Sequence, residues 1–194
     1  MKYVIGFLIV VLLFYGWKFV SRTAYETAEY RLMQSDGEFE IREYPDLLIV
    51  STASADAMQG NDGSFMKLFR YISGDNQSSQ KIAMTTPVFM EPKASSERGK
   101  MSFVLPSKYS LESVPLPESK ALQVERRAGG RYAVIRFAGR LTKETAANAE
   151  EKLRQWLAKN NLSAAKSIET AGYDPPVTPG PFRRNEVLIR IESE

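Results

Sequence analysis

A strand–strand–helix–strand–strand order that occurs twice, preceded by one extra strand, predicts a pseudo-duplicated α+β fold. The expected form is a twisted antiparallel sheet or distorted barrel with two helices on its outer side. Two observations carry this. Short runs alternate apolar with polar residues and are bounded by Gly, Pro, Asn or Asp, as in half-buried strands. Two other segments, near 65–72 and 142–160, repeat their apolar residues at helical spacing, each at the same place in its half.

The elements follow in order. Tyr30 to Gln34 and Glu38 to Tyr44 form a hairpin through Asp36-Gly37, a dipeptide that tolerates positive φ. Phe39 and Ile41 alternate with Glu38, Glu40 and Arg42, giving one buried and one wet face. Pro45-Asp46 turns the chain into a strand over Leu47 to Ala55. Asn61 or Asp62 caps a helix whose Phe65, Leu68, Phe69 and Ile72 share one face, with Met66, Lys67, Arg70 and Tyr71 facing elsewhere, and Gly74 ends it. Lys81 to Glu91 is a strand whose Pro87 implies an edge or a bulge. Met101, Phe103 and Leu105 alternate in the next strand, and Ser107 to Lys120 is an irregular crossover.

In the second half, Leu122 to Ala128 and Arg131 to Ala138 flank Gly129-Gly130. A two-residue turn there pairs Leu122 with Phe137 and Val124 with Ile135, and sets Glu125 among Arg127 and Arg136. A helix from Thr142 to about Asn160 buries Ala146, Ala149, Leu153, Trp156 and Leu157. A strand ending near Tyr173, a turn at Asp174-Pro175-Pro176 and a strand from Glu186 to Ile191 complete the chain.

At 194 residues with 43% hydrophobic content, the chain holds one domain plus an accessory segment. Lys2, Lys18 and Arg22 are the charges before Tyr25, which leaves 23 basic and 23 acidic residues beyond it. A formally neutral domain has no long-range attraction for a polyphosphate, so nucleic-acid binding is not expected. Cysteine and histidine are both absent, which excludes disulfides, thiol nucleophiles, zinc-thiolate sites, Ser-His-Asp catalysis and imidazole ligation of metals. Phosphate loops, carboxylate clusters with metal spacing and nucleophile elbows are absent too. No catalytic residue and no metal site is therefore assigned, and the chain is not expected to be an enzyme.

Residues 1–24 read as a membrane anchor or uncleaved signal, ahead of a folded domain over 25–194. Tyr3 to Tyr15 is free of charge, and the apolar character continues through Trp17, Phe19 and Val20 with Lys18 as its interruption. At ~1.5 Å per residue eighteen residues reach about 27 Å, enough to span if Lys18 snorkels. No small-x-small triplet follows the run, which argues against cleavage. Lys2 and the amino terminus nearly balance Lys18 and Arg22, and the short positive start before an apolar run, like that of an export signal, favours the extracytoplasmic side for the domain.

The pieces FEIREYP (Phe39 to Pro45), YISG (Tyr71 to Gly74), KIAMTTPV (Lys81 to Val88), FVLP (Phe103 to Pro106), GYDPP (Gly172 to Pro176) and RRNEV (Arg183 to Val187) stand in an order that resembles the SOUL haem-binding family. The resemblance runs from about Tyr30 to Ile191 and leaves out the N-terminal segment. It implies a duplicated α+β barrel, a scaffold similar to the effector-binding domains of gyrase-inhibitor-like proteins, and binding of haem or free porphyrins, as in some members. Where members coordinate haem iron the ligand is a histidine, which this chain lacks, so non-covalent binding with weak or no axial ligation is the mode implied. Basic positions of the family meet Lys67 and Arg70 here, whereas two others meet Asp62 and Thr178.

The candidate cofactor-binding residues are therefore Met66, Lys67, Arg70 and Tyr71. Lys67 and Arg70, at i and i+3, would hold two carboxylates at the rim of a planar ligand, with Met66 and Tyr71 beside them. A solvated helix face explains the same residues. Met66, Met84 and Met90 either ligate iron weakly or fill core gaps. Asp174 with Arg183 and Arg184 reads as an ion pair pinning the C-terminal turn, which Asn185 and Glu186 serve as well; Thr85-Thr86 offer hydroxyls to a ligand or to bulged backbone. A membrane-anchored, non-enzymatic haem or tetrapyrrole carrier, buffer or sensor is the leading expectation. A membrane-anchored protein-interaction module with no tetrapyrrole is the alternative.

Overall fold

The hairpin signal at Asp36-Gly37 is realised: β2 (Arg31–Asp36) pairs antiparallel with β3 (Phe39–Tyr44), and Gly37 takes φ 60°. This structure is a computed structural model that describes Gly6 and residues 25–55, 62–93, 99–175 and 177–192. The expected anchor over 1–24 lies outside the described residues except for Gly6. Among the described residues no helix is long and apolar enough to cross a membrane.

The remaining elements are β4 (Leu47–Ser54), α1 (Ser64–Ile72), β6 (Val88–Glu91), β7 (Gly99–Val104), β8 (Leu122–Arg127), β9 (Gly130–Phe137), α2 (Lys143–Lys159), β10 (Glu169–Gly172) and β11 (Asn185–Arg190). Two short strands, β1 (Glu26–Thr27) and β5 (Thr85–Thr86), pair with each other in parallel. Among the described residues the main sheet has nine antiparallel strands in the order β2-β3-β9-β11-β10-β6-β7-β4-β8. Exchanging β3 with β8, β4 with β9, β6 with β10 and β7 with β11 turns this order end for end. The duplication is thus a pseudo-two-fold relation centred between β6 and β10, and β2 is the extra strand.

One expected element is corrected. Gly129-Gly130 does not turn β8 back onto β9; β8 pairs with β4, and β9 pairs with β3 and β11. Tyr44 lies opposite Gly130 and Leu47 opposite Arg127, so β3–β4 and β8–β9 are two long bent strands in one register. The sheet curls because each bent strand links its two ends. Where the bends cross, a Cβ on Gly129 would stand 2.5 Å from the Tyr44 carbonyl oxygen and 2.8 Å from the Asp46 nitrogen. The glycine therefore serves close backbone approach, and the Gly129 amide donates to Asp46 Oδ1 at 2.8 Å. Gly129→Ala is expected to destabilise the domain by about 3 kcal/mol, because backbone atoms cannot move aside; the urea midpoint measures it.

The charge pairing attached to that hairpin changes with it. Glu125 accepts from Ser51 Oγ at 2.6 Å, Arg127 pairs with Glu169 at 2.6 Å, and Arg136 with Glu40 at 3.1 Å. Pro87 is also not at an edge: it stands just ahead of β6, in the middle of the sheet, and so removes no ladder bond.

Strand alternation divides the core in three. Val50, Met90, Met101, Phe103 and Leu122 face α1 and meet Leu68, Tyr71 and Ile72. Ile41, Ala133, Ile135, Val187 and Ile189 face α2 and meet Ala146, Ala149, Leu153, Trp156 and Leu157, the stripe expected from sequence. Thr142 caps α2 through a reciprocal pair with Thr145. The concave face carries Tyr44, Leu47, Ile49, Phe89, Tyr132, Tyr173 and Leu188. α1 and α2 thus lie on the convex side.

Candidate functional site

α1 starts at a left-handed Gly63, and the Asp62 carboxylate ahead of it accepts from Ser54 Oγ and the amides of Ala55 and Ser64 at 2.7–3.0 Å. Desolvation raises the Asp62 pKa, but hydrogen bonds from Ser64 and Ser54 and the two amides outweigh it and hold the carboxyl well below the usual carboxylate range. A depressed carboxyl stabilises the fold above its unfolded pKa of about 4 and loses that contribution as pH falls through the folded value. Gly63, not the expected Asn61 or Asp62, is the N-cap, and Asp62→Ala is expected to cost about 1 kcal/mol at neutral pH through its lost surface hydrogen bonds. The difference from the parent should vanish in acid, as thermal melts across pH will report.

The helix turns about 100° per residue, so its buried face is set by Ser64, Leu68, Tyr71 and Ile72. Tyr71 is therefore corrected from an outward position to the core. Its hydroxyl donates to the Pro115 carbonyl at 2.7 Å, and burial, with the Tyr109 phenol nearby, pushes its pKa to about 12. Phe69, expected in the core, stands exposed beside Phe65, the two rings nearly parallel at 6.1 Å, whereas Phe65 packs edge-on against the buried Phe103 ring at 5.2 Å as expected. Met66 and Arg70 are exposed farther round the helix. Lys67 occupies the opposite flank, where it lines a polar groove with Ser51, Lys100, Lys120 and Gln123. The four candidate residues are thus not gathered into one rim.

What the fold does gather is an apolar cleft of about 270 Å³ beside α1, lined by Tyr25, Phe65, Phe69, Met84, Thr86, Val88, Gly172, Tyr173, Asp174 and Pro175. Its floor is the β6–β10 pair at the pseudo-two-fold, where Val88 lies opposite Gly172. Of the three methionines considered for iron, Met84 lines this cleft, Met90 is buried in the core under α1, and Met66 is exposed. The Thr85 and Thr86 hydroxyls are engaged with the Val104 carbonyl at 2.6 Å and Thr27 Oγ1 at 3.0 Å. Asp174, the one ionisable acid in the lining, accepts from the Arg184 amide at 2.6 Å.

Sequence spacing could have found part of this lining: Phe65 and Phe69 are i and i+4, and Met84, Thr86 and Val88 alternate along one strand face. Tyr25 and Pro175 arrive from the two ends of the chain and carry no such signal. A second concavity, between the N-terminal segment and the Pro106–Leu111 loop, is edged by Glu26 and Asp46. Their carboxylates accept from the Ser107 and Gly129 amides, which gives them structural duties.

The C-terminal turn is held as expected by the Arg184 amide on Asp174 and by Arg183 Nε, which donates to the Thr178 carbonyl at 2.7 Å. Glu186 and the Arg184 side chain serve the interior instead. Glu186 points into the concave face, fully buried, and takes a bidentate pair from the equally buried Arg42 at 2.7 and 2.9 Å. Arg184 adds bonds at 2.6 and 2.8 Å, and the Tyr173 hydroxyl donates at 2.9 Å. Burial raises the Glu186 pKa, but Arg42 and Arg184 outweigh it and hold the carboxyl below its usual value. Burial and the Glu186 charge push the Tyr173 phenol well up, so it stays protonated and is no anionic ligand. Asn185 donates to the Gly139 carbonyl at 2.9 Å.

The cleft suits a flat, largely apolar group. Aromatic rings and aliphatic side chains offer dispersion contacts, Met84 supplies a soft thioether as a weak ligand, and the lining holds no imidazole. Its volume is at the low end for small-molecule pockets, so a tetrapyrrole would sit partly inside and partly outside it. Among the described residues no cluster of three or more acidic side chains could hold a bare metal ion.

Comparison with known proteins bears on both fold and family. Solved structures share the architecture: a hydrolase from Listeria innocua superposes with a TM-score of 0.58 at 7% identity, covering 82% of this chain and 94% of that one. The C-terminal domain of EcmrR superposes with 0.54 at 12% identity, covering 85% and 99%. At such identities the likeness is one of fold. Heme-binding protein 1 of Xenopus laevis is 28% identical over 162 residues, 79% of this chain and 84% of that protein, as is its Xenopus tropicalis counterpart. The family model described as SOUL heme-binding protein matches residues 25–190, nearly everything from β1 to the end of β11, and the chain belongs to that family.

Proposed function

We propose that the chain is a non-enzymatic binder of haem or a related planar tetrapyrrole, acting as carrier, buffer or sensor and holding its ligand at the α1 cleft without histidine ligation. The observation that carries this reading is the cleft itself, with Phe65, Phe69, Met84 and Val88 lining it and its one carboxylate already engaged by the Arg184 amide. Heme-binding protein 1, by its name, binds haem, and this chain shares its family. The apolar run in residues 3–20 supports a membrane tether, with the domain on the extracytoplasmic side.

Hemin titrated into the purified full chain at micromolar concentration should shift the Soret band and saturate at one equivalent. A spectrum identical to free hemin overturns the reading and leaves a membrane-tethered protein-interaction module on the same scaffold.

A further inference from the structure

The cleft is bordered by apolar side chains that point away from the protein. Phe69 is 43% exposed and Tyr25 41%, and Met66, one turn from Phe69 and farther round α1, is 50% exposed. The β10–β11 connection that brings Asp174 and Pro175 to the cleft continues into Val177, which is 76% exposed. Three separate segments therefore present uncovered apolar groups around one opening, a feature that marks an interaction surface.

The chain's own length fixes where that opening lies. Tyr25 lines the cleft, and the apolar run of the sequence ends at Val20. Five residues extend at most about 18 Å. The headgroup layer outside the hydrocarbon is about 5–8 Å deep on each side. A domain of this size is about 40 Å across. A tether that ends at Val20 thus holds the cleft on the membrane-proximal side of the domain and within reach of the lipid surface. Arg22 in the link and the exposed Arg70 on α1 add positive charge for anionic headgroups.

We propose that the rim of the α1 cleft, with Tyr25 and Phe69 on it and the exposed Met66 and Val177 in the segments that adjoin it, docks on the bilayer surface, so that a lipid-dissolved ligand enters the cleft without crossing water. The inference rests on the tether proposed above. The exposed half of a ligand too large for the cleft is then covered by lipid.

The absence of cysteine makes the test direct. Phe69→Cys, Val177→Cys and, on exposed α2, Gln155→Cys are each labelled with an environment-sensitive nitrobenzoxadiazole. The full chain is then reconstituted without hemin into phosphatidylcholine–phosphatidylglycerol vesicles that carry acyl-chain nitroxides. Labels at 69 and 177 should emit at shorter wavelength and be quenched several-fold more than the label at 155. If the chain sediments with the vesicles but all three labels behave as in water, docking is overturned while the tether stands. If the chain does not sediment with the vesicles, tether and docking fall together. A label at 69 shielded from lipid nitroxide and aqueous iodide alike overturns docking as well, because the chain itself then fills the cleft. Met66→Cys, at a half-exposed position, gives the same reading should Phe69→Cys fail to fold. Hemin binding, followed by the Soret band, is measured separately and stands or falls on its own.

Discussion

Glu186→Gln should lower the free energy of unfolding by about 3–5 kcal/mol, a large part of the 5–15 kcal/mol typical of a domain. The substitution keeps shape and removes charge. Arg42 is fully buried, and Glu186 answers two of its nitrogens, with Glu40 taking the third at 2.6 Å. With a neutral amide at 186, one end of Arg42 and the Arg184 guanidinium face each other's charge without a counterion, and the cost is that of stranded buried cations rather than of one lost hydrogen bond. The pH dependence separates this from a packing defect. The folded Glu186 pKa is depressed, so its contribution is fully present above the unfolded value of about 4.3 and lost as pH falls through the folded one. Denaturant melts of the parent should lose stability across that acid range, and those of Glu186→Gln should lose less. A variant as stable as the parent at neutral pH would show that Glu40 and Tyr44 alone satisfy Arg42.

That cluster also explains what the sequence could and could not reveal. Arg42, Tyr173 and Glu186 belong to the FEIREYP, GYDPP and RRNEV pieces that carry the family resemblance, yet they meet on the concave face of the sheet, 144 residues apart in the case of Arg42 and Glu186. The motifs were legible as a family signature; their joint purpose, an interior ion cluster, was not, because a contact between β3 of the first half of the chain and β11 of the second leaves no local pattern. The same holds for Gly129-Gly130. Its composition is that of a hairpin turn, and its actual service is the crossing of two bent strands, set by a contact with Tyr44 and Pro45 far away in sequence. The long helix α2 was readable to the residue because seventeen positions average out single exceptions. α1, with nine, was not. Tyr71 is drawn inward by a partner for its hydroxyl at Pro115, and Phe69 turns toward a cleft rather than the core.

The exchange of Tyr71 and Phe69 gives the cleft its sharpest test. Phe69→Glu sets a carboxylate beside Phe65 in a lining with little polar surface, opposed to the propionates of a haem, and should weaken hemin binding tenfold or more, about 1.4 kcal/mol. Arg70→Glu, on the exposed side of the same helix, should weaken it a few-fold by reversing a charge on the helix that borders the cleft. Lys67→Glu should leave affinity unchanged, since Lys67 lies on the opposite flank with Lys100 and Lys120. Tyr71→Phe should cost about 1 kcal/mol of stability through the unpaired Pro115 carbonyl and leave binding intact. Met84→Leu holds the volume of the cleft and deletes its thioether, so an unchanged Soret position assigns Met84 to packing and a shifted one to iron. Titrations of all five variants decide between the cleft and the rim first suggested by the helix pattern. If Lys67→Glu abolishes binding and Phe69→Glu does not, the ligand lies on the lysine flank, and the apolar cleft is left to the lipid surface alone.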